Sequence, residues 1–228
     1  MGAVAVSAGV AARNPVRSLA CGCIVDYNVG TSAEFANALT SIAANAGGND
    51  IIIFTASFAI NESTPLAIIQ KNAEFKLVVD VNLIAPVYWA LEMIGRVAED
   101  RAARGLKRWT AEEGMQGSVV FIGSISSQGN RGQISYASTK AGLEGAAATI
   151  MKEAIFHGVR CGVIHPGFTD TPMVRQMGMD YVAKNILPYT QLGRLIRPEE
   201  IADAICFMLA NSAVSGELWV DAGWHAPA

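Results

Sequence analysis

The stretch from residue 117 to residue 167 constrains the fold more than any other part of the chain. Gly117–Ser124 is a short apolar run that predicts a buried strand ending in a serine. Ala141–Glu153 has the pattern of a helix, and Val159–Ile164 predicts a second strand that runs into Pro166-Gly167. Strand, helix and strand in this order predict a βαβ unit, whose parallel strands place the polar residues that follow them at one edge of a sheet.

The same alternation continues along the chain. Because no repeat, low-complexity tract or linker divides the 228 residues, the sequence predicts a single domain over residues 1–228. The alternation predicts an α/β fold, a doubly wound Rossmann-like parallel sheet in three α/β/α layers, with its site at the carboxyl ends of the strands. The predicted strands are Ala3–Ser7, Cys23–Val25, Asp50–Phe54, Ser118–Gly123, Val159–Ile164 and Glu217–Val220. The predicted helices are Ser32–Asn45, Leu66–Asp80 with a continuation through Val97, Ser135–Phe156, Thr171–Met177 and Pro198–Ala210.

Composition narrows the class of protein. A hydrophobic share of 51 % and a mean hydropathy of +0.31 suit a parallel sheet that is covered on both faces. A net charge of −3 without a basic tract argues against a nucleic-acid partner. No apolar run approaches the roughly 20 residues of a membrane helix. Gly2–Ala12 also lacks the charged start and the cleavage pattern of a signal peptide. We therefore expect a cytoplasmic protein without a membrane partner.

The cysteines predict no metal site. They show neither a metal-ligand spacing nor a Cys-x-x-Cys pair, so we interpret them as small residues of the buried core. No other motif in the chain predicts a metal. The four cysteines are Cys21, Cys23, Cys161 and Cys206.

Tyr136 and Lys140 form the clearest chemical motif. They are four residues apart, so they share one face of the predicted helix. The ammonium group can then lie near the phenol and favour its ionised form. Ser124, at the end of the preceding strand, comes twelve residues before Tyr136. These three side chains predict an acid/base site at the carboxyl edge of the sheet.

This constellation resembles the short-chain dehydrogenase/reductase family, in which serine, tyrosine and lysine act together on a carbonyl or an alcohol. The resemblance runs from Asn49 to Gly223. Three further segments match it, namely the helix asparagine within Val81–Leu83, the lead into the last helix at Leu192–Arg194 and Arg197–Ala202, and the closing strand at Leu218–Gly223.

The resemblance implies a role for each catalytic residue. Tyr136 passes its proton to a carbonyl oxygen as hydride arrives at the carbon, or accepts a proton from an alcohol in the reverse direction. Lys140 lowers the pKa of the tyrosine and also holds the nicotinamide ribose. Ser124 donates a hydrogen bond to the developing oxyanion, and Asn82 keeps a helix kink open for a water that relays protons toward Lys140. Two plainer interpretations stay open, because Ser124 can cap a strand end and Asn82 can be a satisfied buried polar group.

The implied cofactor is NAD or NADP, which Tyr136 and Lys140 also contact. Glycine lets the backbone of Pro166-Gly167 approach the nicotinamide. Thr169 and Thr171 then hydrogen-bond its carboxamide or the phosphates. His165, beside the proline, is expected to pack at the strand end rather than to act as a catalytic histidine.

The amino-terminal part departs from the family pattern. Members usually carry a glycine-rich turn whose following helix holds the pyrophosphate, and only Gly9 can represent that turn here. The family's Asn-Asn-Ala-Gly after the fourth strand is matched by Ala56 alone. Asp26 can be the acid that ends the second strand and binds the adenosine ribose, which favours NAD. Its distance from Phe54 suits better an aspartate after the third strand, near the adenine. On that alignment roughly 30 to 35 residues, about one βα unit, are missing.

Two functional hypotheses follow. The first is an oxidoreductase that transfers hydride between NAD(P)(H) and a ketone or secondary alcohol, with Tyr136 as the acid/base. The alternative is a catalytically impaired homologue that acts as a binding or regulatory subunit, because the glycine turn is eroded. The intact Ser-Tyr-Lys set favours the enzyme. We expect a small-molecule carbonyl or alcohol as partner, and a homodimer or homotetramer built on apolar helix faces.

The segments that set substrate specificity surround the site. The carboxyl-terminal half looks most like 3-oxoacyl-thioester reductases and the sterol and small-alcohol dehydrogenases of the family. The methionines after the Pro-Gly motif are interpreted either as core or as a substrate lid. The charged Val97–Gln116 is interpreted as a solvated surface excursion, with the edge of a subunit contact as the less favoured alternative. The methionines are Met173, Met177 and Met179, and the residues that suggest an apolar pocket are Phe168, Met173, Tyr181 and Trp224.

Overall fold

A six-stranded parallel sheet is the centre of the molecule. The computed structural model describes residues 4–7, 24–26, 50–54 and 72–224. The strand order is β2-β1-β3-β4-β5-β6, and every neighbouring pair is parallel, which confirms the predicted doubly wound α/β class. The strands are β1 Val4–Ser7, β2 Ile24–Asp26, β3 Asp50–Phe54, β4 Gly117–Ile122, β5 Val159–Pro166 and β6 Gly216–Val220. The helices are α1 Asn72–Val79, α2 Ala85–Ala103, α3 Ile134–Ala154, α4 Pro172–Arg175, α5 Met179–Asn185 and α6 Pro198–Ala210.

The strand order positions the site. The chain leaves β1 for β2 on one side and then crosses to β3 on the other side, so the winding direction changes between β1 and β3. Ligands of open parallel sheets bind in the crevice outside the strand carboxyl ends at such a point. The strand β4, which leads to Ser124, pairs with β3. Ser124 therefore follows a strand one position away from this crevice.

The two faces of the central strands bury two sets of side chains. Val119 and Phe121 point to the face covered by α2 and α3, where they meet Trp89, Met93 and Leu143. Because side chains alternate along a strand, the intervening Val120 packs on the opposite face against Met208 of α6 and Ile164. Each such fully buried apolar side chain contributes about 1.5–3 kcal/mol of transfer free energy. This burial holds α3 and β4 together, and with them the residues of the site.

A π-helical turn joins α1 to α2. It spans Asp80–Ile84, and the Ala85 N–H donates to the Asp80 carbonyl, five residues earlier. Pro86 follows immediately and has no N–H to donate to the Asn82 carbonyl, which favours a widened turn here. The helical stretch predicted through Val97 therefore exists, with a local irregularity in it.

The prediction for Val97–Gln116 was partly wrong. The helix α2 continues to Ala103 before the chain turns outward. Arg101 is 1 % exposed, and its guanidinium donates to both carboxylate oxygens of Glu113 at 2.6 and 3.1 Å and to the Lys107 carbonyl. The bidentate pair holds this excursion against the domain, so it is not a wholly solvated loop.

The stretch Glu74–Ala103 has the length and composition of a membrane span, with a mean hydropathy of 1.6 in its most apolar window. The sequence did not predict this possible span, because the polar residues Asp80, Asn82 and Glu92 interrupt its apolar residues. Its inner face packs in the core through Trp89 and Met93, as the covering helix of an α/β domain does. By itself such a helix is weak evidence for a membrane location.

Several local predictions differ from the structure. The helix α5 was not predicted, since it is only seven residues long and follows Gly178, whose φ of 90° breaks the helical pattern. Cys161 is buried as predicted, but Cys206 lies exposed on the outer side of α6. The predicted helix Ser32–Asn45, the start of the predicted helix at Leu66, and Cys21 and Cys23 lie outside the described residues.

Candidate active site

The helix α3 places Tyr136 and Lys140 beside each other on its inner face. Tyr136 is 8 % exposed, and Lys140 is fully buried. The Lys140 Nζ lies 5.5 Å from the centre of the Tyr136 ring. The predicted one-face arrangement is therefore present in the structure.

Lys140 is anchored to the strand that leads to Ser124. Its Nζ donates to the Ile122 carbonyl at 2.8 Å, two residues before the serine. Burial lowers the pKa of Lys140 from 10.5 to about 7, because the interior solvates the ammonium group poorly. A bound group that accepts hydrogen bonds or carries negative charge beside Nζ would stabilise the charged form again.

Ser124 lies at the entrance of the crevice and is 8 % exposed. Its Oγ accepts a hydrogen bond from the Ser126 N–H at 3.1 Å, which caps the 3₁₀ turn Ile125–Gln128. The plainer interpretation as a cap is therefore correct in part. Because Oγ is the acceptor in that bond, the hydroxyl hydrogen can still be donated to a substrate oxygen, and the two roles are compatible.

A side-chain network holds the loop between Ser124 and Tyr136. Gln133 Oε1 accepts from Ser126 Oγ at 3.2 Å and from Asn130 Nδ2 at 2.9 Å. Glycines on either side of Asn130, at positions 129 and 132, have φ values of 103° and 77°, which suit residues without a Cβ. Sequence reasoning missed this network, and its only signal was amide side chains in a glycine-rich loop.

Asn82 sits inside the π-helical turn and is fully buried. The helix irregularity expected around this residue is therefore present. A π turn leaves backbone carbonyls without their usual helical donors, so it suits a residue that organises a polar path in the interior.

The space at Gly167 is used by the chain itself. A Cβ added there would lie 2.8 Å from the Cα and the carbonyl oxygen of Asp221. The Gly167 N–H donates to the Val220 carbonyl at 2.9 Å, which ties the loop after β5 to the end of β6. Close approach of backbone to backbone explains this glycine without a ligand, and the loop still follows Pro166 at the carboxyl edge.

Thr169 and Thr171 make local hydrogen bonds. The Thr169 hydroxyl donates to the Gly167 carbonyl at 3.1 Å, and Thr171 Oγ1 accepts from the Val174 N–H at the start of α4. The backbone of Thr169 also forms an isolated parallel β-bridge with Ile196. These contacts fix the threonines just beyond β5, each with hydrogen-bonding capacity left for a ligand.

His165 packs at the strand end, as predicted. Its ring is fully buried, stacks on Trp219 with ring centres 4.1 Å apart, and places Nδ1 at 3.3 Å from the Ser124 nitrogen. Burial lowers the pKa of His165, although the Ser124 backbone and the carboxylates of Glu144 and Glu217 oppose this in part. His165 thus contacts the backbone of Ser124 and helps to position this residue.

The predicted apolar pocket is partly assembled. Phe168 and Trp224 meet edge to face with ring centres 5.4 Å apart. Met173 and Tyr181 are largely exposed on α4 and α5 instead, as are the neighbouring methionines. The methionines are therefore not core residues, and they are exposed apolar side chains of the segment that follows β5.

The amino-terminal site residues are less fully described. Asp26 ends β2 and pairs with Ser7 of β1. It thus lies at the end of the edge strand that pairs with β1, and both placements considered for this aspartate stay predictions. Gly9 and Ala56 lie outside the described residues.

The carboxyl edge suits a nicotinamide dinucleotide. The hydroxyl groups of Ser124, Thr169 and Thr171 follow the neighbouring strands β4 and β5, and the Lys140 ammonium reaches the same edge from α3. This set of donors matches the ribose hydroxyls and the carboxamide of such a cofactor.

Comparison with known proteins agrees with this geometry. The family model described as enoyl-(acyl carrier protein) reductase matches residues 4–225, which extends the resemblance to the first strands. The 3-oxoacyl-(acyl-carrier-protein) reductase of Salmonella typhimurium is 29 % identical over 202 residues, which cover 87 % of this chain and 75 % of that protein. Acetoacetyl-CoA reductase of Synechocystis sp. is 35 % identical over 160 residues, which cover 67 % of this chain and 59 % of that protein.

A solved structure shows the same fold. The 3-hydroxyacyl-CoA dehydrogenase type-2 from Mycobacterium avium aligns with a TM-score of 0.76 at 22 % identity, covering 90 % of this chain and 78 % of that one. The chain therefore belongs to the short-chain dehydrogenase/reductase family, as an oxidoreductase that moves hydride between NAD(P)(H) and a ketone or secondary alcohol.

Proposed function

We propose that this enzyme interconverts a 3-oxoacyl thioester and the corresponding 3-hydroxyacyl thioester. The similar proteins from Salmonella typhimurium and Synechocystis sp. are named for 3-oxoacyl and acetoacetyl thioester reduction. The single observation that carries the chemistry is Lys140 of α3, buried beside Tyr136 and bonded to the strand that leads to Ser124. The exposed methionines of α4 and α5 offer adaptable contacts to an acyl chain.

Each catalytic residue has a separate role in proton transfer to the carbonyl oxygen. The bound nicotinamide supplies or accepts the hydride. Tyr136 gives its phenolic proton to the substrate oxygen, and Ser124 donates a hydrogen bond to the same oxygen as negative charge develops there. Lys140 stabilises the phenolate that remains, and Asn82 in the π turn orders the path by which Lys140 is reprotonated.

The cofactor is held along the edge that starts at β2 and ends beyond β5. Gly9 and Ala56 are proposed to contact the pyrophosphate and adenosine part. Lys140 holds the nicotinamide ribose, and the loop at Pro166 and Gly167 with its two threonines holds the carboxamide. A carboxylate at Asp26 accepts a hydrogen bond from the ribose 2′-hydroxyl of NAD and repels the 2′-phosphate of NADP. We therefore propose a preference for NAD over NADP.

Apolar side chains on the outer face of α1, the π-helical turn and α2 support self-association. Leu77, Ile84, Tyr88 and Leu91 are all at least 40 % exposed on this face. A second copy of the chain would cover them, which supports a homodimer or homotetramer of single-domain subunits. A cytoplasmic location fits the acyl thioester substrates proposed. The regulatory-subunit alternative has no support among the relatives described above, which are named as reductases.

The test is a substrate screen with both reduced cofactors. We expect NADH oxidation with acetoacetyl-CoA and longer 3-oxoacyl thioesters, at a higher kcat/KM than with NADPH. Ser124→Ala removes one donor to the oxyanion and should lower kcat by about 10²- to 10³-fold. Ser138→Ala, at an exposed position of the same region, is the matched control and should behave as wild type. Turnover of simple cyclic ketones with no turnover of thioesters would overturn the substrate class.

A further inference from the structure

Three ionisable side chains converge on the side of β5 that faces α3. His165 Nε2 lies 3.8 Å from Glu144 Oε1 and 3.7 Å from Glu217 Oε2. The ligand-type atoms of the three residues all lie within 4.8 Å of one another. None of the proposed catalytic steps uses Glu144 or Glu217.

The fold brings these residues together from distant parts of the chain. In the β5/β6 ladder His165 pairs with Trp219 and Val163 pairs with Glu217, so His165 and Glu217 are diagonal neighbours on one face of the sheet. Glu144 follows Lys140 by one helical turn and therefore lies on the same side of α3.

Two buried polar atoms in this cluster are unsatisfied. The Nε2 of the fully buried His165 and the Oε1 of Glu144 have no hydrogen-bond partner in the part of the chain that the structure describes. An unpaired buried polar atom costs about 1–3 kcal/mol. The two atoms lie 3.8 Å apart, and the carboxylate of the half-exposed Glu217 lies 3.7 Å from Nε2.

We propose that Glu144, His165 and Glu217 form a binding site for a divalent transition metal such as Zn²⁺. One imidazole and two carboxylates are a ligand set that Zn²⁺ accepts, with a fourth position left for water. Tetrahedral bonds of about 2.0–2.2 Å put ligand atoms about 3.3–3.6 Å apart. The two separations from His165 Nε2 are therefore within about half an ångström of that geometry. The exposed side of Glu217 provides the entry path.

The ring nitrogen of His165 that faces away from the proposed metal contacts the backbone of Ser124. His165 Nδ1 lies 3.2 Å from the Ser124 carbonyl oxygen, to which a protonated Nδ1 donates, and 3.3 Å from the Ser124 nitrogen, whose N–H donates to Nδ1 in the other tautomer. A metal on Nε2 requires the proton on Nδ1, which then donates to the carbonyl, as the second ring nitrogen of a metal-bound histidine usually does. The absence of a side chain at Gly123 makes this approach possible, because a Cβ there would lie 2.5 Å from Nδ1.

Calorimetric titration of the chelator-treated, reduced chain with Zn²⁺ tests the proposal. We expect one equivalent to bind. Glu217→Gln changes a half-exposed side chain and leaves the fold intact, and it should weaken binding at least about tenfold, as should Glu144→Gln. Glu153→Gln, on an exposed position of the same helix, is the matched control and should bind as wild type.

Co²⁺ in place of Zn²⁺ reads out the ligands directly. We expect visible d–d bands of a four- or five-coordinate site without a thiolate charge-transfer band, and we expect the bands to be lost in Glu217→Gln. A folded chain that binds no Zn²⁺, unchanged affinity in both glutamate variants, or a thiolate band would each overturn the proposal. Since no readout depends on turnover, failure of the site is distinguishable from failure of the proposed reductase activity.

Discussion

The two ends of the sheet use their polar side chains in opposite ways. At the amino end, the Arg160 guanidinium donates to the carbonyls of Met208, Leu209, Asn211 and Val214 and to Ser118 Oγ. These carbonyls belong to the end of α6 and the turn after it, so the arginine closes the helix onto the sheet. The amino end is therefore built for stability.

At the carboxyl end, the hydroxyl groups of the site retain donor or acceptor positions that contacts within the chain do not use. Ser124 and Thr171 accept one backbone hydrogen bond each, and their hydroxyl hydrogens are not used in those bonds. Burial destabilises the ammonium form of Lys140 and lowers its pKa to about 7. The contrast teaches that, in one parallel sheet, the polar groups that stabilise the fold and those proposed for the chemistry are at opposite strand ends. Variants should separate the two properties.

The largest effect is expected at the carboxyl end. Tyr136→Phe removes the acid/base group and should lower kcat by about 10²- to 10⁴-fold. The melting temperature should stay close to that of wild type, since the ring is retained. Steady-state kinetics and thermal unfolding of the same preparation measure both quantities. A Tyr136→Phe variant with near-normal kcat would refute the assigned role.

The reverse pattern is expected at the amino end. Arg160→Met leaves backbone carbonyls without their charged donor and should destabilise the chain by about 2–3 kcal/mol. The kcat per folded molecule should not change, because no proposed catalytic step involves this residue. Urea unfolding at constant pH gives the stability, and active-site titration with cofactor gives the folded fraction. A large loss of kcat with unchanged stability would contradict the division between the two ends.

The pH dependence of stability sharpens the comparison. The folded-state pKa of Lys140 is about 7 and its ordinary value is 10.5, so above pH 7 the unfolded chain holds a proton that the folded chain has released. The free energy of unfolding of the cofactor-free chain should rise between pH 7 and pH 9, by at most about 1.4 kcal/mol per pH unit.

The upper limit of this window is set by Cys161. Burial raises its pKa from 9.0 to about 12, so above pH 9 it contributes a slope of the opposite sign. Lys140→Met should flatten the rise between pH 7 and pH 9 in urea unfolding. If the rise persists in this variant, another group is responsible for it.

The smallest effect is expected on the exposed face of α3. A Cβ added at Gly145 meets no described atom within 4 Å, so Gly145→Ala should stabilise the chain by about 0.5–1 kcal/mol. Gly123→Ala is the opposing control, because its Cβ would collide with His165 and displace Ser124. Thermal unfolding of both variants provides the comparison. Destabilisation by Gly145→Ala together with a change of oligomeric state would show that another subunit covers this face.

Local sequence patterns were sufficient for the strands and for the catalytic helix. Apolar runs bounded by glycine and proline predicted β3 through β6 to within two residues, and the spacing of Tyr136 and Lys140 predicted their common face. Such features depend on neighbours in the chain, which a single sequence displays.

The remaining features depend on contacts between distant residues. Glu113 reaches back to Arg101, Asp221 occupies the space at Gly167, and Glu217 meets His165 across β5 and β6. None of these pairs has a periodic signal, and each is decided by how the packed elements meet. For the same reason the sequence predicted neither the packing of Gly167 against Asp221 nor the approach of Glu217 to His165.

One measurement tests the central claim directly, namely that the carboxyl end of this sheet binds a nicotinamide dinucleotide and reduces a carbonyl. The purified chain is titrated with NADH and NADPH by calorimetry, and the complex is then mixed with acetoacetyl-CoA in a single turnover. The account predicts micromolar binding, stronger for NADH, and one equivalent of reduced cofactor consumed per site by wild type but not by Tyr136→Phe. A folded chain that binds neither cofactor, or a bound cofactor that Tyr136→Phe still consumes at the wild-type rate, would contradict it.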